Sequence, residues 1–140
     1  MEVELISYSQ PAKKDVDKNP LSIAELAASV CYDSEPTETY RIAKGCKATG
    51  HQSVLEHISF TFHVTGVSRA LLAQLSRHRH ISLSVRSQRY CGEDNFDYVN
   101  PFDEQHGGDV FNDMMSNIAN DYRLLKNLGA ANEEIGRAHV

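Results

Sequence analysis

The densest cluster of anion-binding residue types lies at positions 77–90, RHRHISLSVRSQRY. These fourteen positions hold four arginines, two histidines and three serines. Guanidinium groups keep their charge and form paired hydrogen bonds with phosphate or carboxylate oxygens. The residue types therefore predict a site for an anionic, phosphorylated ligand.

The same cluster lies in a long window without acidic residues. No Asp or Glu occurs between Glu56 and Glu93, although the chain carries 19 acids in 140 residues and a formal net charge of -5. An even distribution would place about five acids there. The window therefore indicates a local cationic site on an acidic protein. A solvated basic stretch without a ligand is the alternative interpretation.

Spacing within the cluster suggests how the arginines are arranged. Positions 80–91 are expected to be extended, and in an extended segment residues two apart share a face. Arg77 and Arg79 would then lie on one side, and so would Ser87 and Arg89. Two guanidinium faces with hydroxyls between them would suit phosphate oxygens and a polar ring.

A second polar cluster, GHQSVLEH, occupies positions 50–57. His51, Glu56 and His57 are candidate metal ligands, but their spacing is not the i, i+4 pair of a zinc-protease helix. Polar contacts to a ligand, involving Ser53, and a capped turn are the other two interpretations. We expect no metal site in the chain.

Bulk properties narrow the class of protein. A length of 140 residues fits one domain, and 41% hydrophobic with 24% charged residues is typical of a soluble globular protein. The net charge of -5 argues against a general nucleic-acid binder. Cys31, Cys46 and Cys91 have no C-x-x-C spacing, which favours reduced thiols. With no leader and no membrane-length apolar run, we expect a cytoplasmic protein.

Hydrophobic periodicity predicts the order of the elements. Ser22 and Glu25 have the spacing of a capping box for the first helix. Asp109 is expected to cap the long helix, and Gly129 to follow it. The strand at 58–65 alternates cleanly and is expected to be half-buried. In order, the elements are a strand at 2–8, helices near 23–31 and 37–48, a strand at 58–65, and helices at 67–76, from 109 to 128 and from 131.

Several motifs together resemble one family, the flavin-dependent thymidylate synthases. Arg77, His78 and Arg79, then seven residues and Ser87, resemble the family signature. The segment GHQSVLEH resembles the family's Gly-His-x-Ser-x-x-Glu-His. FHVTGVSR, SQRY and EEIGRAHV agree in order and spacing, so the resemblance covers essentially the whole chain.

The resemblance implies an α+β fold, with a mixed sheet and packed helices. It implies one domain over residues 1–140, of the thymidylate synthase-complementing type and truncated at its C-terminus. The chain stops at Val140 in mid-pattern. The family's Leu-Pro, Asn-x-Arg and His-Phe segments, and the arginine that helps ionise uracil, would follow. The chain thus resembles the N-terminal half of such an enzyme.

The implied activity is methylation of dUMP to dTMP. Methylenetetrahydrofolate would supply the carbon, and NADPH would supply reducing equivalents through FAD. The implied assembly is a homotetramer whose subunits share active sites, with no nucleic-acid or membrane partner. The alternatives are a non-catalytic nucleotide- or flavin-binding fragment and an RNA-binding module.

Site residues carry over from the family position by position, without assigning a catalytic residue. The implied flavin contacts are Ser53, Arg77, His78, Arg79 and Val85. The implied dUMP contacts are Gln74, Leu75, Ser76, Arg77, Val85, Arg86, Ser87, Gln88, Arg89 and Arg137.

Two of these positions depart from the family pattern. Val85 stands where the family usually has Gln or Glu, and Arg86 where it usually has an apolar residue. We hypothesise that Arg86 compensates by contacting a phosphate. Unchanged nucleotide affinity on replacing both residues by the family's types would contradict this.

Overall fold

The computed structural model describes residues 1–14 and 16–138, except the side chains of residues 137 and 138. Short 3-10 helices lie at Gln52–His57 and Glu104–His106. The chain forms two compact units, one of residues 2–65 and one of Met1 with residues 66–140. The expectation that residues 1–140 form a single domain stays a prediction. The regular elements are β1 (Glu2–Tyr8), α1 (Leu21–Cys31), α2 (Arg41–Ala48), β2 (Phe60–Thr65), α3 (Arg69–Leu75), α4 (Gly108–Asn127) and α5 (Asn132–Ala138).

Strands β1 and β2 form a two-stranded antiparallel sheet in the unit of residues 2–65. Leu5 pairs with Phe62 and Tyr8 with Phe60, with an irregularity between Leu5 and Ser7. The α+β class is confirmed. The pairing of these two strands is antiparallel, where the resemblance implied a mixed sheet.

One face of this sheet is apolar and exposed. Antiparallel partners share a face, so Leu5 lies beside Phe62 and Val3 beside Val64. Phe62 is 53% exposed and Val64 42%. Alternation correctly predicted the strand, but the expectation that it is half-buried is wrong, because apolar patterning does not say what covers a face.

The core of this unit lies between α1, α2 and the first 3-10 helix. Ala28, Cys46 and Val54 are buried together, with Ala27, Ile42 and Leu55 packed around them. Small side chains on α1, including the fully buried Ala24, allow the helices to approach closely.

A buried carboxylate joins α1 to α2. Glu25 is only 1% exposed. Its oxygens accept the backbone N–H groups of Thr37, Ile42 and Ala43 at 3.0, 3.3 and 2.8 Å, and the Thr37 hydroxyl at 2.6 Å. The first N–H groups of a helix have no partner within it. Glu25 therefore satisfies the N-terminus of α2, which carries no side-chain cap of its own.

This role replaces the predicted capping box. Helix α1 has Pro20 at its N-cap position, with no side-chain cap hydrogen bond. Burial by itself would raise the pKa of Glu25, but its hydrogen bonds outweigh that effect and hold the pKa below its usual value. The side chain is therefore a stable buried anion.

The unit of residues 66–140 contains the other three helices. Ser68 is the N-cap residue of α3, and its hydroxyl accepts the Leu71 N–H at 3.2 Å. The N-cap residue of α4 is Gly107, which has no side chain to cap the helix. The prediction that Asp109 caps this helix is therefore wrong. Gly129 has φ +95° and donates its N–H to the Lys126 carbonyl, as predicted for the helix end.

Replacing Glu25 with Gln is expected to destabilise the unit of residues 2–65. An amide cannot accept at both ends, and hydrogen bonds to a charged group are worth about 1.5–3 kcal/mol. We expect urea unfolding, followed by far-UV circular dichroism at pH 7, to show a loss of about 2–3 kcal/mol. Glu38→Gln, at an exposed position, is the matched control.

The same comparison at lower pH tests the buried anion. Because the folded pKa is lowered, the stabilisation is fully present above the unfolded pKa of about 4.3 and is lost as the pH falls through the folded value. The difference between the parent chain and Glu25→Gln should therefore shrink in acid. A difference that stays constant with pH would contradict this role.

Candidate functional site

The cationic cluster begins where α3 ends. The Ser76 N–H donates to the Leu72 carbonyl, and the Arg77 and His78 N–H groups donate to Gln74 and Leu75 at 3.2 and 3.0 Å. Cationic side chains at this end meet the negative pole of the helix. The last turn of α3 thus fixes the backbone of Arg77, whose side chain is exposed.

Residues 77–80 turn rather than extend. His78 Nδ1 lies 2.6 Å from the Arg79 carbonyl oxygen, so a protonated Nδ1 donates to it. His80 takes a left-handed conformation with φ +64°. The extended alignment expected for Arg77 and Arg79 is therefore not formed, because local turn hydrogen bonds replace the alternation of a strand.

A cavity of about 500 Å³ that is open to solvent lies between α3 and the segment after it. Small-molecule sites typically have volumes of about 300–1,000 Å³. Three predicted ligand contacts, Ser76, Val85 and Gln88, line the cavity together. The lining residues that the sequence analysis missed are Arg69, Leu72, Ala73 and Leu83.

The spacing of the α3 residues could have indicated those that the sequence analysis missed. Arg69, Leu72, Ala73 and Ser76 have i, i+3, i+4, i+7 spacing, which places them on one helix face. Arg69 also donates from Nη2 to the Arg86 carbonyl at 3.0 Å. This bond ties the irregular segment to α3, and Arg69 also lines the cavity.

Arg86 is engaged within its own loop. Its Nη2 donates to the Gly92 carbonyl at 3.0 Å and lies 3.8 Å from the Glu93 carboxylate. The hydrogen bond to the Cys91 side chain, followed by the Glu93 charge, raises the pKa of Arg86 above its usual value. Here Arg86 braces the loop, and its contact with a phosphate stays a prediction.

Residues 87–91 form a turn that presents Arg89. The Ser87 hydroxyl accepts the Arg89 N–H at 3.3 Å, and the Ser87 carbonyl accepts the Cys91 N–H at 2.9 Å. The Arg89 side chain reaches α5, where its Nη2 lies 2.7 Å from the Glu133 carboxylate. This pair joins residues far apart in sequence.

Helix α5 approaches the turn closely. The Asn132 amide donates to the Tyr90 carbonyl at 3.4 Å. A Cβ at Gly136 would lie 3.3 Å from the Gln88 carbonyl oxygen and 3.5 Å from the Gln88 Cβ. Gly136 therefore permits an approach that a larger side chain would strain.

Several other predicted contacts are not among the residues that line this cavity. Gln74 is exposed and Leu75 half-buried on α3. Ser53 lies exposed on the 3-10 helix of the other unit. The side chain of Arg137 lies outside the described residues.

Within the polar cluster at 50–57, residues Gln52–His57 form a short 3-10 helix. His51, Glu56 and His57 are exposed. Among the described residues, no three His, Cys, Asp or Glu side chains are grouped to hold a metal ion. No helix in the described part of the chain has the length and apolar character needed to cross a membrane.

Comparison with known families identifies the class. The sequence model of the family described as thymidylate synthase complementing protein matches residues 5–137. The chain therefore belongs to this family. Curated relatives within it carry the name flavin-dependent thymidylate synthase.

Two relatives and one crystal structure give the extent of the match. The Geobacter sulfurreducens enzyme is 37% identical over 131 residues, covering 83% of this chain and 56% of its own length. The Nitratidesulfovibrio vulgaris enzyme is 45% identical over 83 residues, covering 57% and 34%. Thymidylate synthase X from Helicobacter pylori, solved with FAD and dUMP, superimposes with a TM-score of 0.68 at 27% identity, covering 99% of this chain and 72% of that one.

The chain is shorter than these relatives. It spans between about a third and just over half of the length of the two curated enzymes. Family membership and the fold therefore apply to the chain directly.

Replacing Arg86 with Leu is expected to loosen residues 87–93. The variant loses the bond to the Gly92 carbonyl and the charge opposite Glu93. Because the group is exposed, we expect only about a two- to fivefold rise in amide exchange rates there. Mass spectrometry of exchanged peptides measures this, with Arg41→Leu on α2 as the control. Equal exchange in both variants would contradict the bracing role.

Proposed function

We propose that this chain provides the nucleotide- and flavin-binding part of a flavin-dependent thymidylate synthase. The reaction is the methylation of dUMP to dTMP, with methylenetetrahydrofolate as carbon donor and NADPH as reductant. The observation that carries the proposal is the cavity beside the arginine-rich turn, in a chain that belongs to this family.

The cavity has the chemistry that a pyrimidine nucleotide requires. Leu83 and Val85 supply apolar surface for a ring, and Ser76 and Gln88 supply hydrogen-bonding groups. Arg89, on the same turn as Gln88, carries a guanidinium group suited to a phosphate. The Helicobacter pylori structure, which contains dUMP, supports the assignment.

The flavin assignment has separate support in the charges after α3. Arg77 and Arg79 are exposed, and over the described residues neither forms an ion pair with a carboxylate. Two such cations suit the diphosphate of FAD. When bound, the reduced flavin supplies the electrons for the reaction, while the protein binds and orients the ligands.

Assembly and location complete the proposal. We expect a homotetramer in the cytoplasm whose subunits share active sites. Both expectations rest on the resemblance to the flavin-dependent thymidylate synthases. A non-catalytic nucleotide- or flavin-binding fragment is the second candidate.

Two assays separate the candidates. Tritium release from 5-tritiated dUMP, with NADPH and methylenetetrahydrofolate, measures turnover, and calorimetry measures dUMP binding. Turnover supports the enzyme, whereas binding of dUMP and FAD without turnover supports the fragment. A chain that binds neither dUMP nor FAD would contradict both.

Arg89→Ala is expected to weaken dUMP binding about 10- to 100-fold. The reason is that a hydrogen bond to a charged group is worth about 1.5–3 kcal/mol. Calorimetry with dUMP gives the change in affinity. Arg41→Ala, which removes an exposed arginine from α2, should leave it unaltered. If both variants bind dUMP like the parent chain, the assignment of Arg89 is wrong.

A further inference from the structure

The ion pair between Arg89 and Glu133 affects ligand binding if Arg89 binds phosphate. The two groups approach to 2.7 Å, yet 59% of the Arg89 side chain and 36% of the Glu133 side chain stay exposed. A carboxylate thus occupies part of the fork that an anionic ligand would use.

Other contacts hold Glu133 near Arg89 independently of the ion pair. Its neighbour Asn132 bonds the Tyr90 carbonyl, and Gly136, one helical turn later, lies against Gln88. The position of the carboxylate is therefore a property of how α5 meets the turn.

We propose that Glu133 sets the affinity and salt dependence of this site for phosphate-bearing ligands. It is the internal counter-ion of Arg89, and the ligand's phosphate displaces it. The inference rests on the proposed function, because it takes Arg89 as a phosphate contact.

Three physical arguments favour displacement over a shared arrangement. A guanidinium group offers paired donors in one plane, and Glu133 already occupies Nη2, which a paired contact with a phosphate would use. Two anions held within a few ångströms of each other repel. An ion pair this exposed is weak, so a phosphate dianion can open it.

The test compares Glu133→Gln with the parent chain in dUMP binding by calorimetry. The amide keeps the shape of the side chain but loses the competing charge. We expect dUMP to bind about two- to tenfold more tightly at low salt, with a smaller gain at high salt. Deoxyuridine, which lacks the phosphate, should bind both chains equally.

Two controls isolate the ion pair from net charge. Glu104→Gln removes the same charge from an exposed position outside the turn and α5, and should give a smaller gain. In an Arg89→Gln background, Glu133→Gln should give no more than the Glu104 control. This cycle assigns the effect to the pair itself.

Each result decides the proposal. The proposal is supported if Glu133→Gln binds dUMP, but not deoxyuridine, more tightly than the parent chain and if this gain requires Arg89. Unchanged or weaker dUMP binding in Glu133→Gln overturns it. If the parent chain binds no dUMP, the proposed function fails, and inorganic phosphate becomes the probe. Arg89-dependent phosphate binding that tightens in Glu133→Gln would still support the inference, and its absence would overturn it.

Discussion

Arginines in a stretch without acids can form ion pairs only with carboxylates outside that stretch, and this constraint shapes the unit of residues 66–140. Arg86 binds the Gly92 carbonyl and approaches Glu93, just beyond the acid-free window. Arg89 reaches Glu133 on α5. Arg69, from α3, fixes the Arg86 carbonyl. The irregular segment after α3 thus gains its shape from charge pairing and backbone acceptors rather than from regular secondary structure.

Two glutamates show how burial changes what a carboxylate does. Glu25 is enclosed and receives four hydrogen bonds, so its charge is a fixed part of the fold. Glu133 is partly exposed and pairs with the Arg89 guanidinium group, so another anion can take its place on that arginine. The first holds α1 to α2, and the second leaves an arginine available for exchange.

Sequence periodicity located the strands and helices well, because amphipathic spacing is a local property. It misassigned Glu25, since capping-box spacing does not exclude a role at the N-terminus of another helix. Motifs found Ser76, Val85 and Gln88, which line the cavity, but not Leu83. The Arg89–Glu133 pair joins positions 44 residues apart, and only the tertiary structure brings them together.

The sheet of β1 and β2 has a practical consequence for anyone preparing this chain. Its apolar face includes Phe60 and Phe62, whose side chains are about half exposed. In the described part of the chain the sheet has only these two strands, so each strand has one edge without a strand partner. Open strand edges beside an apolar face are sites of self-association. Yield and sample quality should therefore fall as concentration rises, and dilute handling or mild solubilising additives should preserve a uniform sample.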